Sequence, residues 1–269
     1  MKNDRQNTNP APRAWVLVIG MHRSGTSAMA GALHGLGLEL PVDLMIGGGD
    51  NPAHNESNAL SRVNDALLGI LGGTWDDPPA VEVGWETRAD MAATMETVSG
   101  AVANAFPFSA PAVWKDPRTS LLLPYWRRVL SPIAGVVLIW RSPIAAARSL
   151  RTRDRIVIDQ GLALWRHYNE AALENVFGCS HLIIEYDDMV NDRTASSALV
   201  GSWLSEVVPG FTLRADGVAQ ARAAVSPFLR HHRGDPGAPP AACRELVERL
   251  AELGGAHYPS GQRFTPIGV

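Results

Sequence analysis

Trp15-Val16-Leu17-Val18-Ile19 is an unbroken apolar run that passes directly into Gly20-Met21-His22-Arg23-Ser24-Gly25-Thr26-Ser27. A run without polar alternation fits a strand covered on both faces, as in a parallel sheet. The glycine turn leads into Thr26 to Leu36, which reads as a helix. Strand, loop and helix in this order confine the chain to α/β architectures. Val136 to Trp140 and Leu182 to Ile184 repeat the pattern, and Val113-Trp114 is a shorter fourth run. Amphipathic stretches lie between them: Leu60, Val63, Leu67 and Leu71 share a helical face. Arg88 to Ala105, Gly161 to Phe177 and Ala241 to Leu253 also read as helices, and Asp235 to Pro240 as a loop. The expected fold is α/β of P-loop type: three layers, with a central, largely parallel sheet flanked by helices. Such sheets bind ligands at the carboxyl ends of their strands, so the chemistry is expected after Ile19, Trp114 and Trp140.

Nothing marks a second domain in the 269 residues. Residues 1–13, MKNDRQNTNPAPR, are polar and lack the apolar core of a secretory leader. They are read as a flexible tail on a cytoplasmic protein, and 14–269 as one domain. No run approaches the ~20 apolar residues of a membrane span, so no membrane partner is expected. Lys plus Arg is 24 and Asp plus Glu is 27, a net charge of −3. That balance argues against a nucleic-acid partner, which demands a basic footprint. Two cysteines, Cys179 and Cys243, exclude a disulfide scaffold and a zinc site built mainly from thiolates.

Gly20 and Gly25 stand at the glycine positions of a P-loop, G-x-x-x-x-G-K-[ST], and Ser27 at its hydroxyl position. Thr26 occupies the lysine position, and a cation appears three residues earlier as Arg23. The backbone cradle and helix N-terminus that favour an oxyanion are kept. The ammonium that reaches the β- and γ-phosphates of a nucleoside triphosphate is missing.

Met21 to Ser27, MHRSGTS, resembles the 5′-phosphosulfate loop of sulfotransferases that use 3′-phosphoadenosine 5′-phosphosulfate (PAPS), in its carbohydrate and protein-tyrosine form. The family's 3′-phosphate motif has an Arg at a strand end and a Ser eight residues later; here Arg141 and Ser149 match it. Ser142 is placed to N-cap a helix opened by Pro143, and Ser149 then lies about 10 Å up the axis. Further segments resemble bacterial members: Asn55 to Asn58, Asn64 to Leu68, Gly73 to Pro78, Trp114-Lys115-Asp116-Pro117-Arg118, and Glu185 to Met189, read as a turn.

The resemblance implies transfer of a sulfuryl group from PAPS to a hydroxyl, or less readily an amine, leaving adenosine 3′,5′-bisphosphate (PAP), with no metal required. It implies that Arg23, Ser24, Gly25, Thr26 and Ser27 hold the 5′-phosphosulfate, with Arg23 stabilising the leaving phosphate. Arg141 and Ser149 hold the 3′-phosphate. Arg230 and Arg233, in Arg230-His231-His232-Arg233-Gly234, are a further clamp by looser analogy, or a solvated basic loop. A carboxylate or imidazole must take the acceptor's proton. Glu56 follows the first helix, as the base does in some relatives, or else it favours the N-terminus of the next helix. His54 is the rival base, and His22 is an alternative facing the sulfate. Lys115 is a candidate to offset sulfate charge, and Asp116 either joins it or forms an ion pair with Arg118. The segments Met45 to Pro79 and Phe106 to Pro111 are expected to border the acceptor. Trp75, Asp76 and Asp77 suit a carbohydrate or other small-molecule acceptor with an apolar face, although Trp75 fits the core equally well. The alternatives are a P-loop kinase or NTPase-like phosphotransferase and a non-catalytic nucleotide-binding protein.

Overall fold

The structure, a computed structural model, describes residues 13–48, 51–225, 237–255 and 257–258. A central sheet holds β1 (Trp15–Ile19), β4 (Ala112–Lys115), β5 (Ile133–Trp140), β6 (His181–Glu185) and β7 (His257–Tyr258) in the order β4-β1-β5-β6-β7. The first four of these are mutually parallel, and β7 runs antiparallel beside β6. A hairpin of β2 (Leu44–Gly48) and β3 (Asn51–Ser57) stands apart from it.

The continuous apolar runs are strands covered on both faces. Trp15, Leu17, Ile19, Val136, Leu138, Trp140 and Ile183 enter one core; Val16, Val18, Val137, Ile139, Leu182 and Ile184 enter the other. Successive side chains of a strand alternate sides, so a strand inside a three-layer stack must be apolar at every position. On the first side lie α2 (Asn58–Ile70), α3 (Ala89–Ala105), α4 (Thr119–Val129), α6 (Ile158–Asn175) and α10 (Ala241–Leu253). On the second lie α1 (Thr26–Leu36), α8 (Arg193–Val207) and α9 (Gly217–Ala224). Two further helices, α5 (Pro143–Asp154) and α7 (Tyr186–Asn191), open directly after β5 and β6. The expected three-layer architecture is the one observed.

Differences from the sequence reading are local. Ser142 is the cap residue of α5 and Pro143 its first residue, but the Ser142 hydroxyl makes no capping bond. Glu185 to Met189 is not a turn: Tyr186 begins α7, which puts Asp187 and Asp188 in a first helical turn. The Gly161–Phe177 helix starts at Ile158 and ends at Asn175. Residues 1–12 and 226–236 lie outside the described residues, as do the clamp candidates Arg230 and Arg233 and the first part of the 235–240 loop. Arg13, read as part of the tail, packs over Trp15, Phe106 and Phe108 and donates from Nη2 to the Phe106 carbonyl at 2.7 Å. Among the described residues no helix is long and apolar enough to cross a membrane.

Candidate active site

The carboxyl ends of the four parallel strands each deliver a different chemical group. β1 ends in the glycine loop, β4 in Lys115, β5 in Trp140 followed by Arg141, and β6 in Glu185 followed by Tyr186. The loop turns tightly because Gly20 has φ +138° and a Cβ there would lie 2.1 Å from the Ile139 carbonyl oxygen. Its amide is held by the Ser120 hydroxyl at 2.9 Å. The loop closes on Gly25, in the left-handed region at φ +94°, which caps α1 without a side-chain bond. A Cβ on Gly25 would lie 2.1 Å from the Tyr186 ring. The first turn of α1 carries no acidic residue, so the N–H groups at its start remain open to an anion.

Tyr186 in turn supports Arg141, whose guanidinium carbon lies 4.9 Å from the ring centroid. The Arg141 backbone is pinned from α6, where Trp165 Nε1 donates to its carbonyl at 2.8 Å. Arg23 is in the left-handed region (φ +68°) and donates from Nε to Ser149 Oγ at 2.8 Å. The loop arginine and the helix serine, assigned from the sequence to opposite ends of a ligand, therefore touch.

On the opposite wall the β2–β3 hairpin brings in His54 and Glu56. Asn55, at φ +55°, donates from Nδ2 to the Ser27 carbonyl at 2.9 Å, and Ser27 Oγ donates to the His54 carbonyl at 3.0 Å. Asp43 ties the hairpin to α2, accepting from Ser57 Oγ at 2.8 Å and from the Ala59 amide at 2.9 Å. Ser57, not Glu56, caps α2, accepting from the Leu60 amide at 3.1 Å. Glu56 is buried and takes a short contact from Lys115 Nζ, which also donates to Ser27 Oγ at 3.0 Å. Burial pulls the Lys115 ammonium below its ordinary pKa, and Glu56 opposes that shift.

These groups share one cleft, lined by His22, Arg23, Gly25, Thr26, Ser27, His54, Glu56, Lys115, Pro117, Arg141, Ser149, Arg153 and Tyr186. Counted out to its open mouth, solvent included, it measures about 690 Å³. Ser24 is fully buried, and its hydroxyl has no hydrogen-bond partner among the described residues. Each described member of the sequence-derived site thus lines the cleft or lies in its loop. The sequence reading missed Arg153, Pro117 and the lining role of Tyr186. Arg153 sits four residues after Ser149 on one helix, and that spacing was the available signal.

Burial first, then the charges of Arg118, Arg153, Lys115 and Arg23, push the His22 imidazole well below its ordinary pKa. His54 is also lowered, chiefly by burial and against the pull of Glu56. Both shifts favour the neutral imidazole. The His22 ring packs against Trp75 (centroids 4.6 Å) and Tyr168 (5.8 Å). Trp75 therefore stands behind His22, joining the core as a half-buried ring. Asp76 accepts from Thr74 Oγ1 at 2.7 Å. Asp116 is fully buried and binds Arg118 Nη1 at 2.7 Å, with Ser61 Oγ donating at 3.2 Å, so the ion-pair reading holds for it. Phe106 to Ser109 border a separate cavity with Arg13, before the amino end of β4. Strand direction excludes them from a cleft built at carboxyl ends. Among the described residues no group of three or more His, Cys, Asp or Glu side chains is gathered for a metal ion.

The donor set fits a doubly anionic nucleotide. The uncapped start of α1, with Arg23 and Lys115 beside it, suits a phosphosulfate, and the Arg141 fork with Ser149 suits a second phosphate.

Beside the cleft, Glu185 is pushed up to about 7, by burial first and then by Asp188 and Asp187. Its carboxyl binds a proton more tightly folded than unfolded, so stability falls as pH rises from about 4.5 towards 7. Glu185→Gln is expected to melt above the parent at pH 8, with the gap shrinking as pH drops towards 4.5. Thermal scans at the two pH values measure it, and a constant gap would mean an unshifted carboxyl.

No family model matches the sequence, and a comparison with curated proteins finds no match either. Among solved structures, the sulfotransferase domain of the Synechococcus PCC 7002 olefin synthase superposes with a TM-score of 0.50 at 17% identity, covering 93% of this chain and 98% of that one. The fold is therefore that of a sulfotransferase domain. Sulfotransferase STF1 from Mycobacterium tuberculosis H37Rv aligns more loosely, with a TM-score of 0.45 at 17% identity over 91% of this chain and 78% of that one.

Proposed function

We propose that this chain is a PAPS-dependent sulfotransferase acting on a hydroxyl, or less readily an amine, of a carbohydrate or other small-molecule acceptor. The supporting observation is one cleft in which the loop Gly20–Ser27, Lys115, Arg141 and Glu56 converge at the carboxyl ends of the sheet. When bound, PAPS supplies an already activated sulfate. The work left to the protein is binding, charge stabilisation and proton removal.

The loop amides, Arg23 and the side chains of Ser24, Thr26 and Ser27 bind the phosphosulfate end. Arg141 and Ser149 bind the 3′-phosphate. Fixed cations aimed at developing charge need no reorganisation during reaction, which makes this kind of electrostatic term large. Arg23 and Lys115 supply it here. Glu56 takes the acceptor's proton, with Lys115 as its counter-charge in the resting site, and His54 is the rival base. The R-S-G form of the loop favours a carbohydrate or glycosylated acceptor by family analogy alone. A cytoplasmic location belongs to the same reading.

The test is thermal melting and calorimetry with PAP and with ATP, each with and without Mg²⁺. PAP at 100 times its Kd should raise the melting temperature by about 5–10 °C without Mg²⁺, and ATP should do so weakly. Strong Mg²⁺-dependent stabilisation by ATP with none by PAP would favour a kinase or NTPase instead. In the same assay Arg141→Ala should weaken PAP binding by ~10–100-fold, the worth of a charge-assisted contact. An unchanged Kd would remove Arg141 from the phosphate.

A further inference from the structure

The donor assignments leave one cation of the cleft unused. Arg153 lines it together with Glu56, His22 and His54. It stands one helical turn beyond Ser149 on α5, about 6 Å further from the strand end that carries Arg141. Its charge bears on both His22 and His54, in each case more strongly than that of Arg23, and Arg141 is not among the leading charges on either. Arg153 therefore lines the cleft alongside the two imidazoles and Glu56.

Its contacts leave its recognition groups available. Asp154 accepts from Nε through both oxygens, at 2.9 and 2.8 Å. Among the described residues no hydrogen bond engages Nη1 or Nη2. Asp154 thus holds the guanidinium by one edge. A guanidinium fork matches the paired oxygens of a carboxylate, sulfate or phosphate group.

The surroundings carry the same sign. Residues 148–155 include Arg148, Arg151, Arg153 and Arg155 against Asp154, a local balance of 4 − 1 = +3 in a chain of net charge −3. Arg148, Arg151 and Arg155 are exposed. None of these three lines the cleft, but a locally positive field of this kind draws anions and raises their encounter rate. The acid facing it within the cleft is Glu56, already matched by Lys115.

We propose that Arg153 is a specificity residue that binds an anionic group on the acceptor, so that this chain sulfates hydroxyls of molecules already carrying a carboxylate, sulfate or phosphate. The assignment rests on the sulfotransferase reading above and adds the charge of the acceptor to it.

The test uses the full chain, PAPS, and two matched pairs of acceptors: 4-hydroxybenzoate with 4-hydroxybenzamide, and glucuronate with glucuronamide. Product is read by mass, and PAP affinity is measured separately by calorimetry. In at least one pair the acid should be used with a kcat/KM at least ~10-fold above its amide, the lower worth of a charge-assisted fork. Arg153→Gln should bring the acid-to-amide ratio to about 1, with PAP bound as by the parent. Four results would overturn the proposal: equal use of acid and amide, transfer to neither member of either pair, an undiminished acid preference in Arg153→Gln, or PAP binding weakened by that substitution, which would make Arg153 a donor clamp. Failure of the unsubstituted chain to bind PAP is a distinct result, and it overturns the sulfotransferase reading itself.

Discussion

Glu56→Gln is expected to lower turnover by about 10²–10⁴-fold, the contribution of a positioned general base, while PAP binds as before. The glutamine keeps the size of the side chain and a hydrogen-bond acceptor for Lys115, so the hairpin and its bonds through Asn55 and Ser27 stay in place. What disappears is the carboxylate proposed to receive the proton. The substitution also leaves the Lys115 ammonium buried without its counter-ion. Removing one partner of a buried pair costs about 3–5 kcal/mol, and both side chains are buried here. Single-turnover kinetics at saturating PAPS, with a thermal scan of the same sample, separate the two effects. A stable variant with unchanged turnover would move the base to His54, which is shifted towards its neutral form and lines the same wall.

Gly25→Ala is expected to weaken donor binding about 100-fold or more, with a loss of stability of about 2–5 kcal/mol. Gly25 has φ +94° and its added methyl carbon would stand 2.1 Å from Cδ2 and 2.7 Å from Cε2 of Tyr186. A left-handed conformation costs a non-glycine residue roughly 1–2 kcal/mol, and overpacking adds ~1–3 kcal/mol. The ring cannot move freely, because Tyr186 opens α7 and carries Arg141 over its face. Relief must come from the loop, which then loses the amide cradle at the start of α1. PAP affinity should fall about 100-fold or more, given ~1.4 kcal/mol per tenfold step. Calorimetry measures it, and near-parental affinity would show that the loop amides do not hold the phosphosulfate.

The glycine loop and the strands were legible because their signals are local. An apolar run buried on both faces needs only its own residues to declare itself, and Thr26–Leu36, Ala241–Leu253 and all four parallel strands lie where the runs and periodicity predict. The hairpin was not legible. Asn51 to Ser57 is mostly polar and contains Pro52, and its strand character depends on pairing with Leu44–Gly48 and on Asp43. Helix α4 was missed as well, since Pro124 lies inside it and reads as a breaker.

Asp116 shows the limit most plainly. Lys115 and Asp116 are neighbours in the sequence and equally plausible at a site. Their side chains meet different partners: Lys115 reaches Glu56 and the cleft, and Asp116, just past β4, meets Arg118 and Ser61. Only a backbone already folded says which is which.

The sequence alone determined a strand–glycine loop–helix unit, an arginine–serine pair on the helix after β5, and an α/β fold to carry them, because each is written in residues within a turn or two of one another. The tertiary structure decided which charges meet. Glu56 reaches Lys115 across 59 residues and Arg23 reaches Ser149 across 126. The second follows from β1 lying beside β5 in the sheet, and the first from the β2–β3 hairpin being tied to Ser27 beside Lys115. Strand order is set by the packing of whole layers, so no local pattern of residues carries it.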